Sequence, residues 1–519
     1  MRSTFHGLET AKRSLFTQQA ALNTTGHNIA NANTVGYSRQ VVNMVASRPI
    51  EAYGIQRTVT PGQLGTGVEF SSITRIRESF LDAQFRNENK SLGNWTIRSD
   101  TLEKLETILN EPSETGLRTV LDNFWNAWSD LSKDPQSITG RKIVVESAIA
   151  LTDAFNHLSS QLDDLTADLT EDINIKLADV NSKLATIADL NVQIRRIEGL
   201  GDNANDLRDQ RDLLVDEISR VISIRVVETE SGYNIYMGNT ALLENGALQT
   251  LDAAQVEAAR TTGDLDGGEV LGLLVSRDDY VANYRTMLNT LVDSIVNGEI
   301  TVTIPAGSVL PEGTELNGII YTGANRVLTS DLTVTVKGLN GLHKLGYAFN
   351  DAGFAPGIDL FTTADGSTTG ITAGNIKVNA AIVADPSLIA TSMRTTGNPE
   401  EVVKGNNDLA LLISKMRDAK FTFTSPNSPI QTGTLNDYYR SITGQLGVQA
   451  QEANRQVTNL SSVVAQIDSR RQSVSGVSLD EEMANMIKFQ HAYNAAARIM
   501  TTMDEVLDRI INGMGVVGR

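Results

Sequence analysis

Five histidines, His6, His27, His157, His343 and His491, are the natural place to look for chemistry, and their spacing supports none of the usual kinds. A His-Glu-x-x-His run would put two imidazoles on one helix face to hold zinc, and the chain has none. Each histidine alone reads as a packing or surface residue. Cysteine is absent, which removes disulfides, thiolate metal sites and cysteine nucleophiles together. Asp264-Leu265-Asp266-Gly267-Gly268-Glu269 resembles a calcium loop but lacks the alternating ligands and the twelve-residue frame, so it reads as a glycine-rich turn. Gly338 to Lys344 lacks the spacing of a phosphate-binding loop, and Gly65-Thr66-Gly67 reaches no third glycine before a helix. A Ser-His-Asp triad can be drawn from distant residues, but no Gly-x-Ser-x-Gly elbow presents a nucleophile. Paired acids such as Asp163-Asp164 read as solvating charge on a helix. The expectation is no catalytic residue, no cofactor and no metal.

What the sequence does organise is helices. Near the N-terminus apolar residues recur in sevens, Leu8, Leu15, Leu22 and Ile29; near the C-terminus the same step gives Leu479, Met486, Tyr493, Met500 and Leu507. A heptad stripe is a surface for another helix. The two ends are expected to meet, either each other or the ends of neighbouring copies. The 519 residues suffice for several domains, and 40% apolar with 20% charged residues allows packed cores. A net charge of −18 with no long basic run argues against nucleic acid and against an anionic membrane surface. No stretch is apolar enough to span a bilayer, so membrane insertion is not expected. The first twenty residues mix Arg2, His6, Glu9, Lys12 and Arg13 with apolar ones, without the apolar core of an ordinary secretory signal. That leaves a cytoplasmic protein or one exported without a cleaved signal.

Residues 1–31 read as an amphipathic helix that ends in the Asn- and Gly-rich turn Asn28 to Gly36. Residues 41–70 read as brief extended pieces, and 71–133 as helical, broken at Pro112, with Trp125 and Trp128 as packing anchors. Between Gly140 and Gly199 there is neither Gly nor Pro. One helix of ~85 Å is predicted there at 1.5 Å per residue. Its stripe runs Leu151, Phe155, Leu158, Leu162, Leu165, Leu169, Ile173, Leu177, Val180, Leu184, Ile187 and Ile194, with a stutter at 165–177 that locally unwinds a coiled coil. A helix follows over 205–221. The period then switches to two, predicting β-hairpins over 222–260 with Asn245-Gly246 as a turn. Asp278 to Val296 returns to helix. Strands are predicted at 300–304, 319–321, 332–336 and 376–378, and a short helix at 409–416. Two long helices follow Pro429, the second opened by a capping box, Ser478 to Glu481.

The fold class is therefore multidomain α+β, with terminal helices and a long coiled-coil-like helical bundle carrying inserted β-rich domains. Four parts are expected: 1–70 with 471–519 as a terminal helical assembly region, 71–221 with 400–470 as the long-helix bundle, 222–298 with 338–399 as a β-rich outer domain, and 299–337 as a small β insertion.

His27-Asn28-Ile29-Ala30-Asn31-Ala32-Asn33-Thr34-Val35-Gly36-Tyr37-Ser38-Arg39-Gln40 closely resembles the N-terminal signature of bacterial flagellar rod, hook and hook-associated proteins. Met486 to Leu507, with Gln490-His491-Ala492-Tyr493-Asn494 inside it, resembles the matching terminal helix. Tyr37 to Gln40, the long helix, Leu207-Arg208-Asp209-Gln210-Arg211-Asp212 and Gly444-Gln445-Leu446-Gly447-Val448 narrow the resemblance to the flagellar hook-associated protein 1 family, over residues 1–298 and 338–519. The piece 299–337 has no counterpart in it.

That resemblance implies a non-enzymatic structural adaptor at the hook–filament junction of the bacterial flagellum. It implies export to the cell exterior through the flagellar type III apparatus without a cleaved signal. The partners it implies are further copies in a ring-like zone, the hook protein, the second junction protein and a cytosolic export chaperone on the C-terminal helix. The assembly residues expected are Leu8, Leu15, Leu22, Asn28, Ile29, Asn31, Asn33 and Gly36 with Leu479, Met486, Tyr493, Met500 and Leu507. The terminal helices are expected to be unpaired in the monomer and to pair on assembly. The alternatives are a hook or filament subunit, or an enzyme carried on a flagellar frame with activity in 222–399.

Overall fold

A computed structural model describes residues 5–49, 65–109, 116–349, 354–397, 400–425 and 427–513. In chain order the principal elements are α1 (His6–Ala30), β1 (Gln40–Ala46), β2 (Val68–Arg75), α2 (Ser79–Leu109), α3 (Leu117–Lys133), α4 (Ile138–Glu198) and α5 (Asn205–Val221). The strands β3 (Arg225–Thr229), β4 (Gly232–Met237), β5 (Thr240–Glu244) and β6 (Ala247–Leu248) follow, then α6 (Ala253–Thr262), α7 (Glu269–Val275) and α8 (Ala282–Val296). After them come β7 (Glu299–Ile304), β8 (Thr314–Leu316), β9 (Ile319–Tyr321) and β10 (Leu332–Lys337), and the chain closes with α9 (Leu435–Ser475) and α10 (Leu479–Gly513).

The chain folds as two compact units. One comprises residues 1–94, 174–271 and 456–519, the other 95–173 and 272–455. Helices α2, α4 and α9 contribute residues to both. The Gly- and Pro-free run forms α4, a single helix of 61 residues, and every member of its predicted stripe is buried. A helix this long is stable because packing, not intrinsic propensity, holds it.

In the first unit, α1 lies along α10 and against the antiparallel pair β1–β2, whose register shifts between Asn43 and Met44. The four strands β3 to β6 form an antiparallel meander, turned at Asn245-Gly246 with both residues at positive φ. Tyr233, Ile235, Met237, Leu242 and Leu243 are its buried face. In the second unit Trp125 and Trp128 are buried on α3 with Phe124 and Leu131. Strands β7 and β10 pair over six residues, and β8–β9 is a hairpin between them in sequence.

Several sequence expectations are corrected. Residues 71–75 are strand, not helix: β2 pairs with β1 up to Arg75, and the helix starts at Ser79. The β reading of 222–260 ends early, because Asp252 accepts from the Gln255 amide and Gln255 returns the bond, a complete capping box that starts α6. Helix resumes at Glu269 rather than 278, through a π-helical segment Ser276–Val281 between α7 and α8. At Ser478 the serine oxygen accepts from the Glu481 amide at 3.5 Å, while the Glu481 carboxylate takes Arg39. The break expected at Pro112 lies outside the described residues. The terminal helices are not unpaired in the single chain: α1 and α10 pack on each other. No helix among the described residues is long and apolar enough to cross a membrane.

Candidate assembly interface

Asn28 is the centre of the paired ends. It is buried in the last turns of α1, and its amide is fully used. Nδ2 donates to the Gln40 carbonyl at 2.9 Å and to Glu482 Oε2 at 3.1 Å. Oδ1 accepts from the Gln40 amide at 3.0 Å and from the Tyr37 hydroxyl at 2.7 Å. A side-chain amide has two donors and acceptor capacity for two bonds, so the site leaves none orphaned. Burial, then the carboxylates of Asp206, Asp209 and Glu482, push the Tyr37 phenol up, which keeps it a donor.

Glu482 is the partner on α10, only 2% exposed in a helix that is otherwise largely half-open. Its second oxygen takes Arg39 Nε at 2.8 Å, and Arg39 Nη1 reaches Glu481 at 2.8 Å. The Arg39 amide donates to the Ser475 carbonyl at the end of α9. Both glutamates sit in the first turn of α10, where the helix dipole favours negative charge. One short segment, Tyr37 to Gln40, thus ties the C-terminal end of α1 to the N-terminal end of α10.

That segment is held from below. The Ser38 amide donates to Asp209 Oδ2 at 2.7 Å, and Gln40 Nε2 to Asp206 Oδ1 at 2.6 Å. Gly36, at φ +80°, lets the chain pass α5, where its Cβ would stand 3.1 Å from Leu213. Asn31 caps α1, its side chain donating to the His27 carbonyl at 3.1 Å and accepting from the Thr34 hydroxyl at 3.1 Å.

Below lies a buried ionic cluster that sequence reasoning did not find. Asp209, Asp212 and Asp216 share one face of α5. Arg75 reaches Asp209 and Asp212, each at 2.7 Å. Arg86 and Arg471 both reach Asp216 at 2.6 Å, and Arg77 takes Asp82 at 2.7 Å. Burial opposes charge on Asp212, but Arg77, Arg75 and Arg86 outweigh it and hold its carboxyl down at about 2. Burial raises Asp209 despite Arg75, and the cluster raises Arg75, Arg77 and Arg86 against the same burial. The signal was present as aspartates at helical spacing on α5 and Arg-x-Arg at strand spacing before α2. An acidic helix face ordinarily reads as solvated.

Among the predicted assembly residues, Asn28 is brought to α10 by direct bonds. Leu8, Leu15, Leu22 and Ile29 are half-buried, as are Met486, Tyr493, Met500 and Leu507; Leu479 is 48% exposed and Asn33 exposed. The buried seam falls on other steps of seven: Ala21 and Asn28 on α1, Glu482 and Ala496 on α10, with Gly7 against Met503 at the far end. The apolar stripes flank that seam. Outward on α10 stand Met483, Ile487, Ile499, Val506, Ile510 and Ile511, with Phe16 on α1 and Phe5 just before it, all exposed. No group of three or more potential metal ligands occurs among the described residues.

The two ends of the chain thus form a half-exposed helical pair joined by a saturated polar clasp. The segment carrying α1 and its asparagine turn, residues 8–37, matches the family described as flagella basal body rod protein, and residues 469–513 match the flagellar basal body rod FlgEFG protein C-terminal. Both families are of flagellar proteins. Residues 102–298 match the flagellar hook-associated protein FlgK helical domain. Flagellar hook-associated protein 1 of Bacillus subtilis (strain 168) is 37% identical over 536 residues, covering 100% of both chains. Those of Salmonella typhimurium and Escherichia coli K12 are 26% and 25% identical, covering 95% and 97% of this chain and 97% and 99% of theirs. The solved flagellar hook junction protein FlgK from Burkholderia pseudomallei is 14% identical, with a TM-score of 0.49 over 76% of this chain and 100% of that one. The chain belongs to the flagellar hook-associated protein 1 family and is a structural adaptor of the flagellum.

Proposed function

We propose that the chain joins hook to filament by presenting α1 and α10 as a matched pair whose outer faces dock neighbouring subunits. The observation that carries this is the burial pattern: the seam between the helices is closed, while Met483, Ile487, Ile499 and Phe16 remain exposed. Exposed apolar surface of this kind marks an interaction site. The predicted residues Leu8, Leu15, Leu22, Ile29, Met486, Tyr493, Met500 and Leu507 lie at the margins of that surface. Partners of suitable chemistry are further copies in a ring-like zone, the hook protein on one side and the second junction protein on the other. Before assembly the same faces need cover, which a cytosolic export chaperone on α10 supplies. Export to the cell exterior proceeds without a cleaved signal.

The test is Leu15→Asp combined with Leu22→Asp. Motility and junction assembly are expected to fail while the second unit stays folded. Normal swimming contradicts the reading. A hook or filament subunit predicts long homopolymers of the purified chain; electron microscopy of concentrated protein is expected to show oligomers only.

A further inference from the structure

We propose that the Asn28–Glu482–Arg39 clasp is what fixes the register between α1 and α10. The two helices run antiparallel: Asn28 faces Glu482 at one end, and Gly7 faces Met503 at the other, the same sequence distance along each. Both helices repeat in sevens. A slide of one heptad, about 10.5 Å at 1.5 Å per residue, returns small and apolar positions to one another. Apolar packing alone therefore discriminates weakly between registers.

The far-end contact does not decide it. A Cβ on Gly7 would meet Met503 at 2.8 Å, but the atom met is the flexible tip of the side chain, which moves easily. The clasp is different. In one slipped register Glu482 would stand opposite Ala21; in the other Asn28 would stand opposite Phe489. Either leaves a buried carboxylate or amide without its partners, which costs far more than an imperfect apolar contact. A single buried polar position that sets register at some cost in stability is an attested use of such groups. Here the device works within one chain, so it acts before any neighbour is met and stands whether or not the assembly reading above is right.

Absence of cysteine makes the test direct. Gly7→Cys with Met503→Cys reports the native register. Gly7→Cys with Ala496→Cys, and Gly7→Cys with Ile510→Cys, report slips in the two senses. In the otherwise unchanged monomer the first pair is expected to cross-link and the others to give traces. Adding Glu482→Leu is expected to raise a slipped product about tenfold or more, as loss of a buried charge-assisted bond allows. A slipped product that stays at the parent's trace level in a folded Glu482→Leu chain overturns the proposal. Should that variant lose its helical circular dichroism, Glu482→Ala, which removes the same bonds to Asn28 and Arg39 without adding bulk to the seam, gives the same comparison. A slipped product then supports the clasp, and unchanged native cross-linking refutes it.

Discussion

The arginines over α5 in the first unit and Arg141 in the second satisfy their charge in opposite ways. In the first, Arg75, Arg77, Arg86 and Arg471 each meet a carboxylate, and the guanidinium groups of Arg75, Arg77 and Arg86 are shifted up. In the second, Arg141 is more fully buried, at 1% exposure, and is held by neutral oxygens, the carbonyls of Pro135 at 3.0 Å, Ser387 at 2.7 Å and Ile389 at 2.5 Å and the Thr391 hydroxyl at 2.9 Å. Burial lowers Arg141 to about 10, with only Asp385 opposing. A few residues away His343 is fully buried and neutral: Nε2 accepts from the Ala390 amide at 2.8 Å while Nδ1 bonds the Ile358 carbonyl. Burial lowers its imidazole to about 4. Charge paired with charge can carry load between elements distant in sequence, here β2, α2, α5 and α9. Charge or imidazole satisfied by backbone dipoles pins loops to a core.

The comparison can be broken at four points. Its readout is built in, because Trp95, Trp125 and Trp128, the only tryptophans, all lie in the second unit, so their fluorescence follows that unit while far-ultraviolet circular dichroism follows both. The largest effect is expected from Asp212→Ala, which strands Arg75, Arg77 and Arg86; breaking a buried pair costs ~3–5 kcal/mol. Helix signal is expected to fall at lower denaturant while tryptophan emission holds its midpoint. Coincident shifts of both would show that the units share one cooperative core.

Acid comes next. The folded-state value of His343 lies below its ordinary 6.5, so the unfolded chain binds the proton first and stability falls as pH drops from about 6.5 to about 4. The loss is of order 3 kcal/mol, read by tryptophan emission. Asp212, held at about 2 against an ordinary 3.8, keeps its contribution of order 2 kcal/mol until pH falls below about 4. The raised Asp209 works in the opposite sense and reduces the net slope. The second unit is thus expected to loosen at a higher pH than the first. A single transition below pH 4 in both signals would erase the distinction.

Arg141→Met is expected to cost about 2 kcal/mol, less than Asp212→Ala, because relief of a buried charge offsets part of the cost of its orphaned carbonyls. Tryptophan emission reads it. The smallest effect belongs to Glu481→Ala. This rim partner of Arg39 is 63% exposed, and exposed pairs contribute less than ~1 kcal/mol. A thermal melt indistinguishable from the parent is the expected outcome, whereas a large loss would move the weight of the clasp from Glu482 to its neighbour.

Helices were the legible part of the fold. The 61-residue α4 follows from a Gly- and Pro-free stripe, and α5 falls on 205–221 as read. Local competition was harder to read: β2 owes residues 71–75 to its partner strand β1, earlier in the chain, and α6 owes its start to the reciprocal Asp252 and Gln255 bonds. At the interface, Asn28 stood out by its turn chemistry. Glu482 did not, because an acid in a first helical turn is expected whether or not it is buried. The aspartates of α5 failed to announce themselves for the same reason: charge on a helix face carries no mark of the arginines that will cover it.

Hydrogen exchange of the freshly purified monomer tests the central claim most directly. If the ends of this chain are a preformed pair closed by the clasp, amides of α1 and α10 will be protected together, and Glu482→Leu will lower the protection of both helices in step without abolishing it. Exchange of α1 and α10 at unfolded-chain rates in the parent protein, with the rest of the first unit protected, would contradict it.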